Sequence, residues 1–271
     1  MRLTSWNLLH AMGIPPKKPW EESDLGAALE QMSSDIFALQ EVDHFLPRSR
    51  SRDQIRDGAQ AIGASDWAFA PSVVGTPGEK WRKLGHLDPE IVIQSNSHEH
   101  FGAYGIGIIS KIPVLQWHRL NLGNSPVGMP LLVPGDETGR GKVRAIYVRD
   151  EPRVALAAVL SNGWTVINTH LSFVPGFNLA QLRRLKKWGL ELGEKTNTRV
   201  LIVGDLNLPK NIPVVASDWV SLITQNTYPS WGAKIQFDYI LASKIERGEF
   251  RALNTVQTGI SDHLPIRVEI G

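Results

Sequence analysis

Val200-Leu201-Ile202-Val203-Gly204-Asp205-Leu206-Asn207 is a short apolar run that ends on a carboxylate and an amide. A run of this kind, closed by Gly-Asp, reads as a buried strand whose end lies at the edge of a sheet, where chemistry-bearing side chains gather. Outward from it, the same pattern recurs along the chain. Strand-like runs fall at Leu3 to Trp6, Ile36 to Gln40, Tyr104 to Ser110, Val154 to Leu160, Thr165 to Thr169, Phe237 to Ala242 and Ile266 to Ile270. Helical periodicity lies between some of them. Ser23 to Met32 carries Ser23 as a candidate cap and an apolar stripe of Leu25, Ala28, Leu29 and Met32. Asp53 to Ile62 is a second helix. Leu179 to Leu192 is the clearest, with Leu179, Leu182, Leu185 and Trp188 on one side and Arg183, Arg184, Lys186 and Lys187 largely on the other. That basic side is read as a solvated face over a core stripe.

These runs are too many for one small sheet and alternate too irregularly for a barrel of repeated units. They predict an α/β (α+β) fold of packed layers, in one domain over residues 1–271. The glycines of Tyr104-Gly105-Ile106-Gly107-Ile108-Ile109 sit inside a strand pattern and open no helix, which argues against a dinucleotide loop. Leu120 to Lys142 and Val74 to Glu90 are rich in Gly and Pro and read as long surface loops.

Composition narrows the chemistry. A net charge of +2 is too small for whole-molecule attraction to nucleic acid or acidic lipid, so any anion affinity must be local. The absence of Cys excludes disulfides, thiolate zinc sites and a Cys nucleophile. With no apolar leader at Met1 and no apolar run of about 20 residues, the expectation is a soluble, cytoplasmic monomer.

Six apolar runs end in an acid, an amide or a histidine. They are Ser5-Trp6-Asn7, Leu39-Gln40-Glu41, Ile167-Asn168-Thr169-His170-Leu171, Val203-Gly204-Asp205-Leu206-Asn207, Gln236-Phe237-Asp238-Tyr239 and Ile260-Ser261-Asp262-His263-Leu264-Pro265. Singly, each has a turn-chemistry explanation. Together, they supply the carboxylates, amides and histidines that metal-assisted phosphoryl hydrolysis needs. Oxygen ligands without thiolates favour Mg2+ or Mn2+ over zinc.

At these residues, and in this order, the sequence resembles the endonuclease/exonuclease/phosphatase superfamily over the whole chain. That superfamily includes deoxyribonucleases, apurinic endonucleases, neutral sphingomyelinases, inositol polyphosphate phosphatases and tyrosyl-DNA phosphodiesterases. The resemblance implies a four-layer, deoxyribonuclease-like α/β sandwich, two packed β-sheets flanked by helices, with the motifs meeting at one edge. It implies that Glu41 is the principal metal ligand, with Asn7 and Asp262 close to the ion. It implies that His263 is the catalytic histidine, paired with Asp238, that Asp205 activates water, that Asn207 holds water and phosphate, and that His170 donates to a phosphate oxygen. Leu9 stands where apurinic endonucleases carry an Asp, which moves the chain away from that branch. Glu99 is a candidate acid partner for His170.

The resemblance implies a phosphate-ester substrate, with a phosphodiesterase or nuclease as the first reading and a phosphatase or phospholipase-like hydrolase as the alternative. A phosphodiesterase or nuclease acting on nucleic acid predicts a basic groove with stacking aromatics. A phosphatase or phospholipase-like hydrolase of a small or lipid phosphate predicts a closed pocket under the Leu120 to Lys142 loop. A non-catalytic module of the same fold is the third reading, opposed by the intact Glu41, Asp205, Asn207 and His263. Arg48, Arg50 and Arg52, and likewise Arg140, Lys142 and Arg144, are phosphate-gripping candidates that solvated turns would equally explain. Asp43 and Arg153 are rim candidates that structural ion pairs would explain.

Overall fold

The computed structural model describes residues 1–13, 22–96, 101–133, 144–246 and 248–271. In chain order the elements are β1 (Arg2–Asn7), α1 (Glu22–Met32), β2 (Ile36–His44), α2 (Gln54–Ala61), β3 (Asp66–Gly75), β4 (Trp81–Arg82), β5 (Val92–Ile93) and β6 (Ala103–Ser110). They continue with β7 (Val114–Gly123), β8 (Met129–Val133), β9 (Arg144–Val148), β10 (Arg153–Leu160), β11 (Trp164–His170), α3 (Phe177–Thr196) and β12 (Arg199–Asp205). The last four are β13 (Val220–Ser221), β14 (Asp238–Ala242), β15 (Phe250–Leu253) and β16 (Ile266–Ile270). One sheet runs β15-β16-β1-β2-β6-β3-β4, with β5 paired to β3; the second runs β13-β14-β12-β11-β10-β7; β8 and β9 form a separate hairpin.

Side-chain alternation makes the four layers. Leu3, Ile36, Ala38 and Ile108 of the first sheet meet Leu156, Val166, Leu201, Val203 and Ile240 of the second in one core between the sheets. Trp6, Phe37, Leu39 and Ile109 face outward under Leu25, Leu29 and Met32 of α1 and Ile55 of α2. On the far side, Ile167, Ile202 and Leu241 are covered by Leu182, Leu185 and Leu192 of α3. Gly107 lets α2 approach, since a Cβ there would lie 2.2 Å from the Ile55 Cδ1.

The strands and helices read from periodicity are all present. The Asp53 side chain accepts the Arg56 N–H as the cap of α2, and Arg183, Arg184 and Lys187 lie exposed on α3. The two expected long loops are corrected. Leu120–Gly123 completes β7 and Met129–Val133 is β8, while Val74 and Gly75 pair with Arg82 and Trp81 in a tight return. Polar side chains on β7, and Pro71 with the register shift beside it in β3, break the alternation that identifies a strand. Glu99, Arg140 and Lys142 lie outside the described residues, as do the side chains of Ser23 and Arg144. Among the described residues, no helix is long and apolar enough to cross a membrane.

Candidate active site

Alternation also places the polar strand ends. Asn7 has the parity of Leu3, His170 that of Val166, Asp205 that of Val203 and Asp238 that of Ile240, so all four project into the gap between the sheets at one rim. His170, Asp205 and Asp238 occupy one row, because His170 pairs with Asp205 across β11 and β12, and Asp205 with Asp238 across β12 and β14. Asn7 sits opposite Gln40 across β1 and β2. By the same parity, Glu41 would follow Phe37 and Leu39 to the helix-covered face. A register shift between Leu39 and Val42, with Glu41 at a φ of 54°, turns it back to the rim.

Asp205 is the hub. Its Oδ2 accepts the Asn7 amide at 3.0 Å and lies 3.7 Å from Nε2 of both His170 and His263. Asn7 also donates to Glu41 Oε1 at 2.9 Å, linking the two acids. Asp205 Oδ1 accepts the Asn207 N–H at 2.9 Å, which stabilises the left-handed Asn207 backbone at a φ of 49°. Asn207 Nδ2 donates to Leu171 O at 3.0 Å and to His170 Nε2 at 3.1 Å. His170 therefore carries its proton on Nδ1, which faces Glu41 Oε1 at 3.9 Å. Among the described residues, Glu41 and Asp205 are the acids beside His170, one facing each ring nitrogen. Gly204 is required here: its φ is 134°, and a Cβ would lie 1.9 Å from Thr169 O.

His263 is fixed from three sides. Its Nδ1 donates to Asp238 Oδ2 at 2.8 Å, its carbonyl accepts Trp6 Nε1 at 3.0 Å, and its N–H donates to Ser261 Oγ at 3.0 Å. Ser261 Oγ in turn donates to Asn7 O at 2.6 Å. The Tyr228 ring packs 5.0 Å from the imidazole. The Tyr239 hydroxyl holds the loop after Asn207 through the Leu208 and Lys210 carbonyls at 2.8 and 2.6 Å.

The electrostatics separate the two histidines. Burial pushes His170 well below its usual range, helped by the charges of Arg153 and His263, so it is neutral. Burial also opposes charge on His263, but Asp238, Asp205 and Asp262 outweigh it and hold the imidazolium well above the usual value. Burial, then the Asp262 charge, push the Glu41 carboxyl up to about 7. Burial and Asp238 push Asp205 up to about 6, and burial raises Asp262.

A divalent cation suits this set. Glu41, Asp205 and Asp262 are all disfavoured as carboxylates by burial, and Asp238 Oδ1 and Asp262 Oδ1 are buried without a hydrogen-bond partner among the described residues. Ligand atoms of Asp205, Asp238 and His263 lie within 4.8 Å of one another, but the His263–Asp238 hydrogen bond already occupies that pair.

Of the other sequence candidates, Asp43 takes Arg48 in a two-pronged pair, 2.8 Å from both Nε and Nη2, which ties Arg48 away from the role of a free phosphate grip. Arg52 pairs with Asp57 at 2.8 Å. Arg153 is held by Glu151 at 3.1 Å, yet its charge reaches Glu41 and His170. Sequence reasoning assigned no role to Trp6, Ser261 or Tyr239, although all three stand inside the quoted motifs. Tyr228 carries no sequence signal.

A sandwich with this rim is a deoxyribonuclease-like fold, and the chain belongs to the Endonuclease/Exonuclease/phosphatase family, whose sequence profile matches residues 4–263. Members of this family are hydrolases acting on phosphoester bonds. Among solved structures it is similar to an endonuclease/exonuclease/phosphatase from Beutenbergia cavernae, at 17% identity, 100% of this chain, 72% of that chain and a TM-score of 0.60. It is also similar to the mannosyl-6-phosphatase Bt3783 of Bacteroides thetaiotaomicron, at 16% identity, 100% and 99% coverage and a TM-score of 0.60. The human Nocturnin catalytic domain with bound sulfate is similar at 16% identity, 100% and 93% coverage and a TM-score of 0.59. No curated protein sequence matches the chain.

Proposed function

We propose that the protein is a divalent-metal-dependent phosphoric ester hydrolase acting most readily as a phosphodiesterase, with water attacking phosphorus in line. The observation that supports this reading is the placement of His170 and His263 on either side of Asp205, each with Nε2 3.7 Å from its Oδ2, where burial drives the first ring toward the neutral form and Asp238 holds the second toward the imidazolium. Glu41 and Asp262 would hold the cation, Mg2+ or Mn2+, with Asn7 beside them. The bound cation would draw charge from a phosphate oxygen.

The chain's own groups do the rest. Asp205, with a carboxyl raised to about 6, takes the proton of a water held by Asn207 as the water oxygen bonds to phosphorus. The leaving oxygen departs with the P–O bonding pair. The His263 imidazolium, aimed by Asp238, keeps its proton, donates it in a hydrogen bond to a phosphate oxygen and offsets the charge that gathers there. His170 gives its Nδ1–H to a second phosphate oxygen.

A phosphatase acting on a small phosphate ester is the second reading. It is favoured by the commitment of the rim cations Arg48 and Arg153 to Asp43, Glu151 and Asp150, which ties both away from lining a basic groove beside His170. Hydrolysis of bis-nitrophenyl phosphate beside nitrophenyl phosphate, with Mg2+, Mn2+ or chelator, separates the two. Preference for the diester supports the first and preference for the monoester the second. Turnover that survives chelation or His263→Ala would remove both.

A further inference from the structure

Tyr228 is fixed beside the hydrolytic rim by its backbone. Its N–H donates to Ile235 O at 3.0 Å, and its carbonyl accepts the Lys234 N–H at 2.9 Å and the Ile235 N–H at 3.1 Å. The adjoining residues are pinned to the His263 loop. Ser230 donates its N–H to Asp262 O and its Oγ–H to Ser261 O, both at 2.7 Å, and the Leu264 N–H donates to Thr227 O at 2.9 Å. The Tyr228 ring lies 5.0 Å from the His263 imidazole and 5.9 Å from the Phe237 ring.

Packing accounts for the ring and leaves the hydroxyl without a task. The Tyr239 hydroxyl is occupied by the Leu208 and Lys210 carbonyls, whereas that of Tyr228 has no hydrogen-bond partner among the described residues. Tyr228 is only half-buried, so a substrate can reach it. Burial, then the charges of Asp262, Glu41 and Asp205, raise its pKa above the ordinary phenol value. It is an O–H donor turned toward the acids of the centre.

Its place along the rim supplies the task. Asn207 is bonded to His170, Asp205 stands between His170 and His263, and Tyr228 packs against His263, at the far end of the row from Asn207. With water held at Asp205 and Asn207, in-line attack sends the leaving oxygen away from their end. The two histidines serve other phosphate oxygens, so the leaving oxygen still lacks a donor from the chain. A donor aimed where negative charge develops acts on the transition state more than on the bound substrate. We infer that Tyr228 is a further catalytic residue, whose hydroxyl hydrogen-bonds the oxygen that leaves phosphorus. The water oxygen bonds to phosphorus as Asp205 takes its proton, and the P–O bond breaks with its electron pair on the leaving oxygen. Tyr228 keeps its own proton throughout, and the released oxyanion takes one from solvent water. The inference rests on the phosphoester reading above and adds the group that meets the leaving oxygen.

The test is kcat/KM of wild type and Tyr228→Phe, with Mg2+, on phenyl and nitrophenyl esters, both as methyl phosphodiesters and as phosphomonoesters. Phenoxide is the poorer leaving group, gathers more charge in the transition state and depends more on a donor. In the series that the wild type cleaves, Tyr228→Phe should lose about tenfold more on the phenyl ester than on the nitrophenyl ester. Phenylalanine keeps the ring against His263, and a ratio taken within one preparation does not change with the fraction of folded protein. A merely structural role would lower both esters alike. Equal losses on the two esters, or no loss on either, overturn the assignment of Tyr228 and leave the phosphoester reading standing. Absence of Mg2+-dependent turnover of all these esters by the wild type removes the phosphoester reading itself, and the role of Tyr228 with it.

Discussion

Gln40 of the first sheet donates its Nε2–H to Asn168 Oδ1 of the second at 2.7 Å, in a core built chiefly from aliphatic side chains. Asn168 returns two hydrogen bonds, to Leu39 O at 2.9 Å and Gly107 O at 2.8 Å. The pair lies beneath the rim, beside Glu41 and two residues before His170. It thus sets how the sheet carrying Asn7 and Glu41 sits against the sheet carrying His170, Asp205 and Asp238. Asn168→Ala would leave both carbonyls buried and unpaired. We expect a loss of about 3 kcal/mol in urea unfolding. An unchanged midpoint would show that apolar packing alone aligns the sheets.

Ser261 ties the His263 loop to the end of β1, donating to Asn7 O and accepting the His263 N–H. Ser261→Ala removes one hydroxyl that serves both. Stability should fall by about 1–3 kcal/mol, and turnover by about tenfold, because His263 loses its fixed approach to the centre. A variant that lost stability with an unchanged rate would confine Ser261 to folding.

Most of the rim was legible because a strand hides its middle and shows its ends. Asn7, His170, Asp205 and Asp238 follow the parity of their strands, and parity is written in the sequence. Glu41 was legible only as a residue type, since its direction depends on a bulge that breaks the alternation. The approach of Glu41 to His170 follows from the docking of two sheets, which no local pattern encodes.

Glu41 gives the site a pH signature. Its folded-state pKa is raised from 4.5 to about 7, so between those values the native state binds more protons than the unfolded chain, and stability of the metal-free protein falls as pH rises. Asp205, raised to about 6, acts in the same sense. A cation held by Glu41 takes the place of its proton. The gain in melting temperature on adding Mg2+ or Mn2+ should therefore be larger at about pH 8 than at about pH 6. Glu41→Gln should abolish most of that gain and flatten the metal-free pH slope, leaving the part due to Asp205, Asp262 and His263. Equal metal shifts at both pH values would place the cation away from Glu41.

Asp238 should control the alkaline side of activity. His263 is buried, which alone would favour the neutral ring, and it is the Asp238 carboxylate above all that keeps the imidazolium. A group with a raised folded-state pKa holds its proton until pH passes that raised value, so the wild type should stay active well above the ordinary histidine range. Asp238→Asn removes the charge, with Asp205 and Asp262 left to support His263. The alkaline limb of the pH–rate profile should move to lower pH, while the rate at acid pH falls less. A similar displacement in His170→Gln is not expected, because burial already holds His170 neutral across this range. If Asp238→Asn lowered the rate equally at every pH, Asp238 would serve to orient the ring, and the charge on His263 would not be what the reaction uses.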